Sequence, residues 1–234
     1  MDVSRAMENL GVRAAKLVEP QTRLGLGSGA TAECFIRALS RQMVKSGKPA
    51  GVRVVASSSK SAELAARLGL EVKSLTEFDQ LDLTVDGADQ ISPSGLLIKG
   101  GGGALFREKA LSLKSQAYVI LADWRKFEGT FLEFLLPLEI APFAWFYLKY
   151  ELKAFGNPAL RMREGQVVLT DNGNWLVDLK LGHKPSDWRG LYRTLKTLFG
   201  VLEVGIFHER APDTIFRGLR DGVVEIWKPR PSAF

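Results

Sequence analysis

The chain has 234 residues, 46% hydrophobic and 25% charged, which is enough for one large globular domain or for one domain with a smaller companion. Its apolar runs are too short to span a bilayer, and residues 1–5 lack the basic-then-apolar pattern of a secretory signal, so a cytoplasmic protein with no membrane partner is expected. The net charge of +6 favours anionic ligands, but the basic residues are dispersed, and the loose cluster Arg217, Arg220, Lys228 and Arg230 accompanies no recognition motif, so a solvated surface and no nucleic-acid partner are expected.

From residue 10 to about 125, short apolar runs alternate with helical periodicity, as in repeating βα units. Residues 22–26 are predicted as a strand, 32–45 as a helix, 52–56 as a strand, and 61–68 as a helix closed by Gly69. Strands near 71–72 and at 81–85, a helix from Ala104 and a strand at 118–122 follow. The lone cysteine, Cys34, rules out an internal disulfide and reads with Phe35 and Ile36 as a helix face, so a buried structural thiol is expected. The fold class is α/β, with a mostly parallel twisted sheet flanked by helices.

After Pro137 the texture becomes that of a smaller α+β domain. A helix is predicted around 143–155, and strands 166–169 and 175–181 flank the hairpin sequence Thr170-Asp-Asn-Gly-Asn174. Ser186 is predicted to cap a helix with Leu191, Tyr192, Leu195, Leu198 and Phe199 on one face and Gly200 at its end, before a strand at 202–207. A last hairpin, 214–216 and 223–227, either returns to the first sheet or extends the second. The expected division assigns 1–131 and 209–234 to the main catalytic domain and 132–208 to the smaller one.

Two segments carry chemistry. Gly25-Leu-Gly-Ser-Gly-Ala-Thr31 lies between a strand and a helix and formally matches a dinucleotide fingerprint, but strand 52–56 ends in Ser57-Ser-Ser59 rather than in the acidic residue that would hold a ribose hydroxyl. No Gly-Lys-Ser/Thr follows the glycines, which disfavours a P-loop. Serine hydroxyls beside this loop suit a small phosphorylated or polyhydroxylated ligand. The second segment runs from Asp86 to Lys109 and gathers the carboxylates Asp86, Asp89 and Glu108 with the cation Lys99 and the glycines Gly100 to Gly103. Asp86 and Asp89 fall where a strand ends, and the glycines bring backbone N–H groups to a helix start, a favourable place for anionic oxygen. Ionisable groups gathered in this way shift one another's proton affinity. His183 and His208 lie apart, with no metal-ligand spacing, so no metal and no cofactor are expected.

In order and spacing, Leu24-Gly-Leu-Gly-Ser-Gly-Ala-Thr31, Ser57-Ser-Ser59, Val85-Asp-Gly-Ala-Asp89, Ile98-Lys-Gly-Gly-Gly102 and Arg107-Glu-Lys109 resemble the type A ribose-5-phosphate isomerases. Ala122-Asp123, Lys126, Leu136-Pro-Leu-Glu-Ile140, Thr170-Asp-Asn-Gly-Asn174 and Asp221-Gly-Val223 extend the resemblance over nearly the whole chain. It implies metal-free interconversion of D-ribose 5-phosphate and D-ribulose 5-phosphate through an enediolate, with a small-molecule sugar phosphate as partner and a homodimer or homotetramer built through the smaller domain. The general base falls on Glu108. Asp86 would manage protons in ring opening and on sugar oxygens, Asp89 would hold hydroxyls, and Lys99 would stabilise negative oxygen. Substrate contacts fall on Ser28, Gly29, Ala30, Thr31, Gly87, Ala88, Gly100, Gly101, Gly102 and Lys126, with the phosphate on the Ser28 to Thr31 loop and Lys126.

The departures from the family pattern concentrate on phosphate handling. Met7 stands where many members carry a lysine, with Arg5 a candidate substitute. Ala30 replaces a hydroxyl residue, Gln90 a glutamate, and Trp124-Arg125 a small pair. The rival readings are an isomerase of another sugar phosphate and a sugar-phosphate sensing module without turnover.

Overall fold

The computed structural model describes residues 2–127 and 135–227. The expected boundary at 131/132 and the basic residues Lys228 and Arg230 lie outside the described residues.

Helix α1 (Val3–Ala15), which the strand–helix alternation from residue 10 did not anticipate, begins at Asp2, whose carboxylate accepts the N–H groups of Ser4 and Arg5. Strand β1 (Arg23–Leu26) leads into helix α2 (Gly29–Ser46), then β2 (Arg53–Ala56), helix α3 (Ser59–Arg67), β3 (Glu71–Val72) and β4 (Leu81–Gly87). Helix α4 (Leu105–Lys114) and strand Ser115–Asp123 follow. The main sheet has seven strands in the order Val224–Trp227, Thr214–Gly218, Ser115–Asp123, β4, β1, β2, β3. All neighbours are parallel except the outer pair formed by the last hairpin, which therefore returns to the first sheet. Both faces of a parallel sheet must be covered. Leu10 and Ala14 of α1 and Phe35, Ile36 and Leu39 of α2 pack with Leu24, Leu26, Val54, Val85 and Leu121 in one buried cluster. Each such Leu, Ile or Phe stabilises the fold by roughly 1.5–3 kcal/mol relative to exposure. Cys34 departs from expectation. It is half-buried while Phe35 and Ile36 take the core-facing positions, and burial with the nearby Glu8 and Glu33 raises its thiol above the ordinary value.

A four-stranded antiparallel sheet, in the order Val201–Val204, Leu136–Ile140, Trp175–Leu181, Gly156–Leu160, is packed by helices Trp145–Glu151 and Trp188–Thr197 through Leu148, Tyr192 and Leu195. The predicted hairpin differs here. Gln166–Val167 pairs with Met162–Arg163, and only a single bridge joins Leu169 to Trp175. The turn is still closed, because Glu139, a fully buried carboxylate, accepts from Thr170 Oγ1 (3.0 Å), Asn172 Nδ2 (3.0 Å) and Asn174 Nδ2 (2.8 Å). Asp187, not Ser186, caps helix Trp188–Thr197 through the Gly190 N–H, and Phe199 lies exposed beyond the helix end. The predicted strand 202–207 is broken at Gly205, so Ile206–Phe207 joins Leu97–Ile98 and Gln90–Ile91 in a separate small sheet. Among the described residues no helix is long and apolar enough to cross a membrane.

Candidate active site

β1 and β4 run side by side, with Leu26 opposite Val85, and strand order reverses between them: β2 and β3 extend the sheet one way, Ser115–Asp123 and Thr214–Gly218 the other. Loops leaving the carboxyl ends of strands at such a point diverge and leave a crevice. A cleft of about 190 Å³ occupies it. The start of α2 contributes Ser28, Gly29, Ala30 and Thr31, and the end of β4 contributes Gly87, Ala88 and Asp89. Lys99, Gly100, Gly102 and Glu108 line the facing wall, and Lys126 comes from the turn after strand Ser115–Asp123. Of the expected site residues, only Asp86 and Gly101 do not line this cleft.

Asp86 is fully buried behind it. Its Oδ1 accepts from the backbone N–H groups of Gly87 (2.7 Å) and Ser28 (3.2 Å), and its Oδ2 lies 3.1 Å from Lys99 Nζ. Glycine is required at position 27, where a Cβ would fall 1.9 Å from Asp86 Oδ1. Gly101 donates its N–H to Asp89 Oδ2 at 2.6 Å, which fixes that carboxylate at the cleft wall.

Lys99 is a hub. Its ammonium lies 3.1 Å from Asp86 and 3.3 Å from Glu108 and donates to the Gly87 carbonyl, with all three side chains almost entirely removed from solvent. Burial works against its charge, but the Asp86 and Glu108 carboxylates hold the ammonium above its ordinary value. Burial also raises Asp86, against the pull of Lys99 and of the two N–H donors. Glu108, in the first turn of α4, receives a 2.7 Å hydrogen bond from Ser28 Oγ on Oε1, while its Oε2 has no hydrogen-bond partner in the fold. Burial and the Asp86 charge push its carboxyl up to about 7, against the opposing effects of Lys99 and Ser28. A carboxyl of that affinity exchanges a proton readily near neutral pH.

The family model for ribose 5-phosphate isomerase A (phosphoriboisomerase A) matches residues 53–222. The chain belongs to this family. The Thermoplasma acidophilum ribose-5-phosphate isomerase A is 39% identical, over 94% of this chain and 91% of its own length. The Oceanobacillus iheyensis ribose-5-phosphate isomerase A 1 is 34% identical, over 92% of this chain and 94% of its own. Among solved structures, a D-ribose-5-phosphate isomerase in complex with phospho-erythronic acid superposes with a TM-score of 0.91 at 32% identity, covering 97% of this chain and 100% of that one. The Plasmodium falciparum ribose 5-phosphate isomerase gives a TM-score of 0.90 at 27% identity, covering 97% and 99%.

In this isomerase A family member the Ser57 to Ser59 run does not line the cleft. Ser57 is fully buried, Ser58 caps α3 through the Ser61 N–H, and Ser61 Oγ donates to the Gly27 carbonyl at 2.9 Å. Ser61, whose Oγ accepts from Ser58 Oγ at 3.0 Å, braces the glycine loop from behind. Met7 of α1 does line the cleft, whereas Arg5 lies beside Gly222 and does not. Trp124 is buried and leaves the cleft open, while Arg125 and Asp123 line it. One contributor had no sequence signal: Arg161 donates through Nη1 to the carbonyls of Gly100 and Gly101 (2.9 Å each) and forks onto Asp178. The glycine carbonyls it holds lie 61 and 60 residues away, so no local pattern marked it. Among the described residues no group of three or more His, Cys, Asp or Glu side chains is disposed to hold a metal ion.

Proposed function

We propose that the chain interconverts D-ribose 5-phosphate and D-ribulose 5-phosphate, the isomerisation of the non-oxidative pentose phosphate branch, through an enediolate with Glu108 as general base. The observation that carries this reading is the Glu108 carboxyl itself: buried at a cleft wall, poised at about 7, and flanked by a fixed ammonium. In the aldose-to-ketose direction Glu108 takes the proton from C2 and returns it to C1 while the O2 hydroxyl proton passes to O1, and the negative charge that develops on the sugar oxygens lies beside Lys99. An ammonium already desolvated and held by two carboxylates need not reorganise as that charge appears, which is the condition under which electrostatic stabilisation is strongest. A positioned base typically supplies about 10²- to 10⁴-fold, and the remainder falls to charge stabilisation and alignment.

Asp86, which does not reach the cleft, acts in this scheme through its neighbours: it fixes Lys99 and the Ser28 backbone. Asp89, held by Gly101, presents its second oxygen to a sugar hydroxyl. The N-terminus of α2 and Lys126 take the phosphate, because Ser28 Oγ is committed to Glu108 and makes no cap to α2, leaving its first N–H groups for an anion. Phospho-erythronic acid, bound by the structural relative, is a phosphorylated hydroxy acid and so belongs to the class of anion this arrangement suits. Phe143, Phe146 and Phe199, each at least 75% exposed on the smaller unit, support the expectation of a homo-oligomer.

Proton NMR of ribose 5-phosphate incubated with the purified protein tests the reading. It predicts ribulose 5-phosphate approaching equilibrium; an unchanged aldose, or faster turnover of a six-carbon aldose phosphate, contradicts it.

A further inference from the structure

Among the described residues three cations line the cleft, and they are not equivalent. Lys99 is 2% exposed and committed to Asp86, Glu108 and the Gly87 carbonyl. Lys126 makes no hydrogen bond or ion pair with another described residue. Arg125 lies between these extremes: its side chain is 51% exposed, yet its direction is fixed. Nε donates to Asp123 Oδ1 at 2.8 Å and Nη2 to Asp123 Oδ2 at 3.0 Å, so the guanidinium is docked bidentately on a carboxylate that is itself 1% exposed. The Arg125 backbone N–H also donates to Asp123 Oδ1 at 3.0 Å. Buried Trp124 pins the same short turn, Trp124–Lys126, at the end of strand Ser115–Asp123.

The docking leaves the Nη1 amino group, with both of its protons, without a partner among the described residues. A planar fork held along one edge by a buried carboxylate presents its other donors in a set direction, and little side-chain entropy is then lost when an anion arrives. Asp123 cancels one unit of charge, so its contribution is geometric; the surplus charge comes from Lys126 and the free N–H groups of α2. The one contribution of α1 to the cleft is Met7, which carries no charge.

We propose that Arg125, oriented by Asp123, is a phosphate-binding and specificity-determining residue of this cleft: its free Nη1 group grips the ester phosphate together with Lys126 and the start of α2. This rests on the sugar-phosphate reading above. Arg125 thereby sets the preference for phosphorylated over unphosphorylated sugar and touches neither C1 nor C2. Asp123 is a positioning residue.

The test compares wild type, R125A, R125K and D123N for turnover of ribose 5-phosphate and for competitive inhibition by inorganic phosphate. Loss of a charge-assisted hydrogen bond predicts that R125A raises KM and the phosphate inhibition constant together by about 10- to 100-fold, with a smaller change in kcat. R125K, which keeps the charge but not the fork, recovers only part of the loss, and D123N moves both constants the same way by a smaller factor. R125A leaves Asp123 buried and unpaired, so an unstable variant is covered by a second measurement on the wild type: phenylglyoxal labelling followed by peptide mass spectrometry. Inorganic phosphate is expected to protect Arg125. An R125A protein with both constants within twofold of wild type, or Arg125 labelled at the same rate under saturating phosphate, overturns the assignment. A wild type inactive on ribose 5-phosphate, by contrast, defeats the isomerase reading itself.

Discussion

Ser28 Oγ donates a 2.7 Å hydrogen bond to Glu108 Oε1, tying the residue that opens α2 to the first turn of α4 across 80 positions of sequence. The two glycine-rich segments are thereby one device: burial and the Asp86 charge raise the proton affinity of the carboxylate in the second, and the serine of the first holds it down. The bond favours the ionised carboxylate and opposes the effect of burial. In S28A the Glu108 carboxyl is expected above 7, so the acid limb of the kcat/KM profile moves to higher pH and activity at pH 7 falls about 3- to 10-fold, the scale of one hydrogen bond to a charged group. The pH–rate profile of the variant checks this; a limb at the wild-type position contradicts it.

Wild type itself is expected to lose activity as pH falls through about 7, because a base must be ionised to act. The same shift has a stability consequence. A carboxyl raised from 4.5 to about 7 binds a proton more tightly in the folded state, so its stabilising effect is fully present below 4.5 and is lost as pH rises through 7. Urea titrations between pH 4.5 and 8 are expected to show E108Q gaining stability relative to wild type as pH rises, with the gain complete just above 7. A difference that does not vary with pH contradicts the shift.

Lys99 is the counterion that two buried carboxylates share. Removing one partner from a buried ionic cluster costs about 3–5 kcal/mol, and K99M leaves Asp86 and Glu108 facing each other. A marked fall in melting temperature is expected, smaller at pH 5, where the Glu108 carboxyl, pushed up to about 7, protonates. Turnover is expected to fall by about 10²- to 10³-fold in the remaining folded protein. Melting curves at pH 5 and 8, with turnover of the folded fraction, report both.

The alternation of strands and helices was legible because parallel strands buried on both faces read as apolar runs, and the boundaries of β1 to β4 and α2 to α4 fall close to the expected ones. The carboxylates, Lys99 and the glycines were legible because their spacing is local: Asp86 and Asp89 end a strand, and Glu108 lies one turn into a helix. What could not be read was long-range. The Ser57 to Ser59 run does not face the cleft: Ser58 caps α3 and, through Ser61, braces the Gly27 turn, a contact 34 residues away in sequence. Asp86 lies fully buried behind Gly27, and Arg161, just past strand Gly156–Leu160, reaches the glycine loop from about 60 residues away. Residues 166–169 lost their expected partner because Leu136–Ile140 and Gly156–Leu160 pair along both edges of Trp175–Leu181, leaving only the Leu169–Trp175 bridge.

Arg161 provides a test of that long-range support. It holds the carbonyls of Gly100 and Gly101, and Gly101 in turn donates to Asp89. R161A frees the loop and leaves Asp178 without its fork, so kcat/KM is expected to fall about 10-fold or more through misplacement of Asp89, without a shift in the acid limb. Steady-state kinetics across pH separate this from an effect on Glu108, since a displaced limb would place Arg161 in the Glu108 network.

The central claim is that Glu108 carries the proton between C1 and C2, and kcat/KM of E108Q on ribose 5-phosphate tests it most directly. Glutamine keeps the shape and can still receive the Ser28 hydrogen bond through its carbonyl, but it cannot accept a proton. The expected result is a fall of about 10²- to 10⁴-fold, with a melting temperature at pH 8 no lower than that of wild type. E108Q activity within threefold of wild type would contradict the account.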